Sequence, residues 1–282
     1  MKIGISGSNG FVGSHLRSYL DKILQAEIIA ITRKLLYSDP KDLALFLEDC
    51  EVIIHLSGAP IVSRWTKKRM KVLRDSRVLT TQTLAKAIIL MHKKPKLFIS
   101  TSAVGIYNSL QLHDDFSKNY GNDFLSQLCQ EWENATNPIQ AIGVRTVIFR
   151  LGLVLSPDGG ILRRISPVFK FGMGGKIGNG QQAFPFIHIN DLLCAYLHVI
   201  QNDRSVGIYN LVAPEIISNI DFTQILKLHF KMPAIFTVPS YLLHLIFLGG
   251  ADALLNGQKV VSKRLKSEGY KFRNVTINSI YG

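Results

Sequence analysis

Seven residues near the start of the chain, Gly7-Ser8-Asn9-Gly10-Phe11-Val12-Gly13, limit its possible folds more than any other stretch. They follow an apolar segment, Lys2–Ser6, that reads as a β-strand, and they open a helix-periodic segment, Phe11–Lys22. Glycine at these places permits a tight turn and lets backbone N–H groups approach a pyrophosphate, toward which the helix presents its positive end. A β–α turn without ligand would also use glycine, but its position between strand and helix favours a bound dinucleotide.

Downstream, short apolar strands alternate with longer helical segments, the order of βαβ units in a parallel sheet. Strands are expected at Glu27–Thr32, Val52–Leu56, Lys96–Thr101, Val144–Leu151 and Gly207–Leu211, with helices at Lys67–His92, Asp123–Gly143 and Asp191–Asn202. The unbroken apolar runs Val52-Ile53-Ile54 and Val147-Ile148-Phe149 suit strands covered on both faces. The fold class is therefore α/β: a doubly wound, Rossmann-type parallel sheet with a small, mostly helical C-terminal cap. Residues 1–160 with parts of 184–212 form the dinucleotide-binding domain, and residues 161–183 with 213–282 form the substrate or cap domain. In the cap, Gly172–Gly180 is too glycine-rich for a helix and reads as a loop beside a site. An Ile220–Phe230 helix is expected to pack with the apolar section that starts at Tyr241, where Asp191 earlier serves as the N-cap of its own helix.

With 47% hydrophobic and 19% charged residues among 282, the chain has a globular composition. Its three cysteines, Cys50, Cys129 and Cys194, form no CxxC, so neither a disulfide framework nor a metal site is expected. The N-terminus lacks the pattern of a signal peptide, and the apolar stretch Tyr241–Gly250 is about half of the ~20 residues that span a bilayer; a cytoplasmic protein with no membrane partner is expected. The net charge of +13 is uneven, with eleven Lys or Arg against Asp75 alone between Arg64 and Lys96. Helix-spaced apolar residues such as Val72, Leu84 and Ile88, and the lack of interleaved aromatics after Trp65, make this a solvated helix face or an attraction for an anionic cofactor or substrate, and not a nucleic-acid surface.

After the second strand, where an NAD site carries an acid for the ribose 2′-hydroxyl, the chain has Ile31-Thr32-Arg33-Lys34. Arg33 can grip a 2′-phosphate and stack on adenine, so NADP(H) is the expected cofactor; two exposed cations after a strand would give the same sequence.

Other segments resemble the extended short-chain dehydrogenase/reductase superfamily: His55-Leu56-Ser57-Gly58-Ala59, Ser100-Thr101-Ser102-Ala103-Val104-Gly105-Ile106-Tyr107 and Arg150-Leu151-Gly152-Leu153-Val154-Leu155. More narrowly, Gly58-Ala59-Pro60 with Arg64-Trp65, Asp75-Ser76-Arg77-Val78, Trp132-Glu133, Pro157-Asp158-Gly159-Gly160, Ile187-His188-Ile189, Asn210-Leu211-Val212-Ala213-Pro214 and Gly257-Gln258-Lys259-Val260 resemble the YfcH-like family, an atypical branch labelled sugar-nucleotide epimerase. The resemblance implies cofactor contacts from Gly7, Asn9, Gly10, Phe11, Val12 and Gly13, from Arg33, from Leu56, Ser57 and Gly58, and from Arg77 and Leu151. It also implies a Tyr-xxx-Lys pair that moves a proton while hydride passes to or from the nicotinamide. Here Leu125 stands at the Tyr position and Cys129 at the Lys position, and Arg77 takes the place of an active-site Asn. Leu has no proton to give, and a thiol offers no fixed charge.

Ser102 matches the serine that positions a substrate carbonyl, or else it caps a strand end. Replacement proton carriers would come from the loop after it, with Tyr107, His113, Asp114, Asp115 and Tyr120, or from His188 with Asp191; Tyr107 and His188 are the leading candidates, although pocket wall and strand-end packing are the plainer roles. Arg64 and Trp65 form a wall for an anionic or planar substrate, or simply pack. Two functions remain: an NADP(H)-dependent reductase or epimerase-like enzyme on a small anionic or nucleotide-sugar-like substrate, and a non-catalytic NADP(H)-binding sensor or interaction protein.

Overall fold

A computed structural model describes residues 1–281. Six parallel strands form the central sheet: β1 (Lys2–Ser6), β2 (Glu27–Ile31), β3 (Val52–His55), β4 (Leu97–Ala103), β5 (Arg145–Leu151) and β6 (Gly207–Leu211). Across the sheet they run β2-β1-β3-β4-β5-β6. The chain winds outward from β1 to β2, then crosses back over β1 to β3, which makes the β1/β3 boundary the switch point where ligands bind in open α/β sheets. In register, Ser6 lies opposite Ile31 on one side and His55 on the other, so the strand ends share one edge.

Both faces of the sheet are covered, as its apolar runs require. Val52 and Ile54 pack with Leu16 and Leu20 of helix α1 (Phe11–Leu24), while Ile53 between them points the other way, to Leu84 and Ile88 of helix α2 (Thr80–Leu90). The period of two along β3 thus serves two cores. A third core belongs to the cap: Leu162 and Phe169 of α3 (Gly160–Lys170) meet Phe222 and Leu226 of α4 (Asn219–Phe230), with Phe184 stacked on Phe222 at 4.1 Å.

Several expected boundaries differ, each for a local reason. The second strand stops at Ile31 because the Thr32 hydroxyl caps a short helix, Arg33–Leu36. The Lys67–His92 helix is broken by a π-helical turn, Asp75–Leu79, and Asp123–Gly143 divides into Phe124–Asn134 and Asn137–Ala141, where Pro138 starts the second piece. His188, not Asp191, caps the Ile189–Gln201 helix, its Nδ1 accepting from the Asn190 N–H. Within the glycine-rich segment, Gly175–Ile177 is a short strand paired with Phe236–Val238. Of the apolar section after Tyr241, the Ile277–Ile280 turn joins α4 in the cap core, while the Phe247 carbonyl at the end of the Ser240–Phe247 helix accepts the Trp65 backbone N–H at 3.0 Å, so this helix covers the loop after β3. No helix among the described residues is long and apolar enough to cross a membrane, and no group of His, Cys, Asp or Glu among them is arranged to hold a metal ion.

Buried carboxylates tie the C-terminal segment to the sheet. Asp115 accepts the N–H groups of Asn210 (2.6 Å), Lys263 (2.7 Å) and Arg264 (2.9 Å). Asp191 accepts those of Arg273 and Asn274, both at 2.8 Å. Alanine at 115 would strand three donors, two of which are the first N–H groups of the Lys263–Ser267 helix. Asp115→Ala should therefore lose ~2–4 kcal/mol of stability in a urea titration.

Candidate functional site

The glycine loop sits at the switch point and is shaped by close backbone contacts. Gly7 takes φ +70°, a left-handed conformation, and a Cβ there would meet the Leu56 carbonyl carbon at 3.0 Å. A Cβ on Gly13 would lie 2.2 Å from the Gly7 carbonyl oxygen, so only glycine lets α1 sit this close to the turn. Gly10 begins α1 with no side-chain cap, so the first helical N–H groups find no side-chain acceptor there. The first ring of α1, Phe11, lies against Gly159 and Gly160; a Cβ on Gly159 would stand 2.3 Å from it. That contact gives the Pro157-Asp158-Gly159-Gly160 segment a purpose the sequence alone did not disclose.

Beside the loop a hydrogen-bonded chain fixes the end of β3. Ser6 Oγ accepts from the Leu56 and Ser57 N–H groups (3.1 and 3.3 Å) and lies 2.6 Å from His55 Nδ1. His55 Nε2 meets Thr80 Oγ1 at 3.3 Å, and that hydroxyl donates to the carbonyls of Ser76 and Arg77. With the Thr80 proton so committed, Nε2 carries the histidine proton and Nδ1 accepts from Ser6. Burial, aided by the nearby Arg77 charge, pushes the His55 pKa down to about 3. Arg77 projects from the π-turn, donating to the Leu73 and Ala59 carbonyls, with its guanidinium 5.2 Å over the Trp132 ring and against Gly58. Burial lowers its pKa to about 10, which leaves it charged at neutral pH. The remaining expected cofactor residues divide in two: Leu151 ends β5, and the exposed Arg33 stands one strand over from Gly7, 5.7 Å over the ring of Tyr37.

Between the strand ends and the cap lies a cavity of about 480 Å³. The sheet contributes Ala103, Gly105, Leu151 and Gly152, and the cap contributes Ile165 and Phe222. A smaller space of about 240 Å³ adjoins it through Gly105, Leu125 and Gln258 and reaches Trp65, Asp123 and Asp252. Among the described residues no charged side chain lines the larger cavity, so they offer no cation to the anionic substrate expected from the sequence. Trp65 is a wall of the smaller space, its indole N–H held by the Ile61 carbonyl, whereas Arg64 is exposed.

The positions of the absent pair are occupied compactly. Leu125 packs on Gly105, where a Cβ would come within 2.7 Å of it. Cys129 is buried, and desolvation raises its thiol to about 12, so it stays neutral. None of Ser102, Tyr107 and His188 lines either cavity. Ser102 donates to Glu133 Oε1 at 2.7 Å. Tyr107 is fully buried; Arg150 Nη1 donates to its hydroxyl at 2.6 Å, and the hydroxyl donates to Asn210 Oδ1. Desolvation raises the Tyr107 pKa against the opposing pull of Arg150, and it lowers that of His188. Arg150 binds both oxygens of Glu133 at 2.7 Å. Burial opposes the Arg150 charge, but the Glu133 hydrogen bonds and charge raise its pKa overall. This pair went unnoticed in the sequence, where a charge after Val147-Ile148-Phe149 was the available signal.

Residues 3–211 match the NAD dependent epimerase/dehydratase family, and residues 238–280 match a domain of unknown function, DUF1731. The chain belongs to this family, in the YfcH-like atypical branch that carries both parts. It is 32% identical over 292 residues to "Epimerase family protein Mb2239" of Mycobacterium bovis, an alignment spanning 99% of this chain and 96% of that one. A crystal structure of human epimerase family protein SDR39U1 with NADPH superposes with a TM-score of 0.89 at 30% identity, covering 99% of this chain and 97% of that one. A nucleoside-diphosphate sugar epimerase from Corynebacterium glutamicum gives 0.80 at 29% identity, covering 100% of this chain and 57% of that one.

The His55 chain makes stability depend on pH. Its folded pKa of about 3 lies below the unfolded value of 6.5, so the unfolded state binds the proton first. The stabilisation is complete above about pH 6.5 and is lost as pH falls toward 3. His55 should account for about 2 kcal/mol lost between pH 7 and pH 5, and His55→Gln should remove that increment from the slope when the two proteins are unfolded in urea at both pH values.

Proposed function

We propose that this chain is an NADP(H)-dependent oxidoreductase of the epimerase-like kind, acting on a small molecule without the usual Tyr-Lys pair. The observation that carries the reading is the glycine cradle: α1 meets the Gly7 carbonyl at a distance that excludes any Cβ at Gly13, and Phe11 of α1 lies on Gly160, next to Ile161 of the strand-end cavity wall. The residues present fit a dinucleotide, and the relative solved with NADPH supports the phosphorylated form. Residues 1–160 with parts of 184–212 hold the cofactor, and residues 161–183 with 213–282 cover the substrate. When bound, the nicotinamide gives or takes a hydride. Arg33 pairs with the 2′-phosphate, and the uncapped start of α1 receives the pyrophosphate. Gly7, Asn9, Gly10, Phe11, Val12, Leu56, Ser57, Gly58 and Leu151 form the remainder of the cofactor wall.

Arg77 provides the fixed positive charge that Cys129 cannot. We assign Ser102, Tyr107 and His188 positioning roles, because the Ser102 and Tyr107 hydroxyls and the His188 Nδ1 are engaged within the protein. A second reading, cofactor binding without turnover, is favoured by one observation: the wall of the larger cavity carries no titratable side chain.

NADPH should bind at least tenfold more tightly than NADH in a fluorescence titration, and Arg33→Asp should erase the difference. Equal affinities in the unmodified protein would refute the assignment of Arg33.

Epimerisation of common nucleotide sugars should be slower by ~10² to 10⁴ than with a positioned Tyr acid. NADPH oxidation against neutral and charged carbonyl compounds separates enzyme from sensor. Tyr107→Phe and His188→Ala should retain measurable turnover while losing stability, and loss of turnover alone in either variant would name that residue as the acid.

A further inference from the structure

We propose that the cavity between sheet and cap takes an uncharged, mainly apolar molecule, oriented at its one polar point by the side-chain amide of Gln258. The inference rests on the preceding section only in taking this cavity as the substrate site. Helix α3 shows how the chain arranges its charges. Ile161, Ile165, Val168 and Phe169 repeat at helical spacing along the cavity wall, while Arg163, Arg164 and Lys170 of the same helix are exposed. The strand Gly175–Ile177 repeats the pattern with a period of two. Gly175 and Ile177 line the cavity, and Lys176 between them turns away, its stem 3.3 Å from the Cβ position of Gly180.

A nucleotide diphosphate buried here would find no cation, and Asp123 and Asp252 in the adjoining space would repel it. The entrance is apolar too: Val168 and Met173 line the cavity and remain 42% and 58% exposed.

Most polar groups on the wall are already used. Gln182 donates to the Ile177 and Leu254 carbonyls, Asn219 accepts the Ile177 N–H, and Thr223 donates to the Asn219 carbonyl. Gln258 differs. It is 8% exposed, lines both spaces, and its amide has no hydrogen-bond partner among the described residues; Asn256 also lines both with an unpartnered amide but is exposed, and Asn219 keeps only its Nδ2 unpaired. Its backbone is anchored on each side, by Gly257 pressed on Ala183 and by Lys259 and Val260 paired with Leu112 and His113. An immobilised amide that can both donate and accept matches a carbonyl or hydroxyl on an otherwise apolar ligand.

The test titrates the protein, with and without NADPH, with the neutral dye Nile red and then adds 2-decanone or UDP-glucose as competitor. A single saturable site is expected, displaced by 2-decanone and untouched by UDP-glucose. Ile165→Arg should weaken the dye at least tenfold with NADPH affinity unchanged, and Leu245→Ser, on the outer surface of the cap, should leave dye binding within twofold. Gln258→Leu should weaken 2-decanone about fivefold; it decides the matter alone if Ile165→Arg does not fold. Displacement by UDP-glucose, dye binding lost in Leu245→Ser but kept in Ile165→Arg, or unchanged ketone affinity in Gln258→Leu would each overturn the proposal. Failure of NADPH to bind would instead sink the cofactor reading and leave the dye result standing.

Discussion

The two-pronged ion pair between Arg150 and Glu133 is the contact on which the region around the site depends. An arginine in the middle of the sheet layer is tolerable only with its charge matched and its donors filled. Glu133 fills two of them, and Tyr107 and Tyr120 take others at 2.6 and 3.2 Å. The same carboxylate receives Ser102 from β4. One pair therefore joins two strands, the Phe124–Asn134 helix and the loop that carries both tyrosines. The Ser102 and Tyr107 hydroxyls complete the solvation of this buried pair, and withdrawing either would expose part of it.

The glycine turn and the cap cavity differ in electrical character. On the glycine-loop side, backbone N–H groups, Arg33 and Arg77 present positive potential suited to phosphates. On the cap side, the walls are apolar and the basic residues point outward. A molecule spanning the boundary would meet its charged partner in one and a neutral enclosure in the other.

The sheet and its cofactor turn were legible because they rest on local rules. A glycine between strand and helix and unbroken apolar runs in buried strands each declare themselves within a few residues. What stayed hidden depends on contacts distant in sequence. The π-turn at Asp75–Leu79 carries Arg77 to the Ala59 carbonyl, and helical periodicity gives no warning of it. His188 read as a candidate acid because histidine at a strand end has that potential, yet its ring caps the next helix. Gly159 entered only as part of a family-like segment, and its reason lies with Phe11, well over a hundred residues earlier, whose ring occupies the space a Cβ would need. Leu125 and Cys129 announced a missing pair, but only the packing on Gly105 disclosed that the space had closed.

The carboxylate of Asp115 carries a consequence for how the chain acquires its shape during synthesis. Its partners are the N–H groups of residues 95, 148 and 149 positions further along. At ~5–20 residues per second, roughly 7 to 30 s separate the making of this acceptor from the making of its last donors. Throughout that interval the sheet can collect its early strands, but the Tyr107–Tyr120 loop lacks the clamp that holds it against β6. The cavity between sheet and cap is thus enclosed late, after the early strands have had time to pair, and a nascent chain with a ligand already on its glycine turn would enter the final stage partly stabilised by mass action.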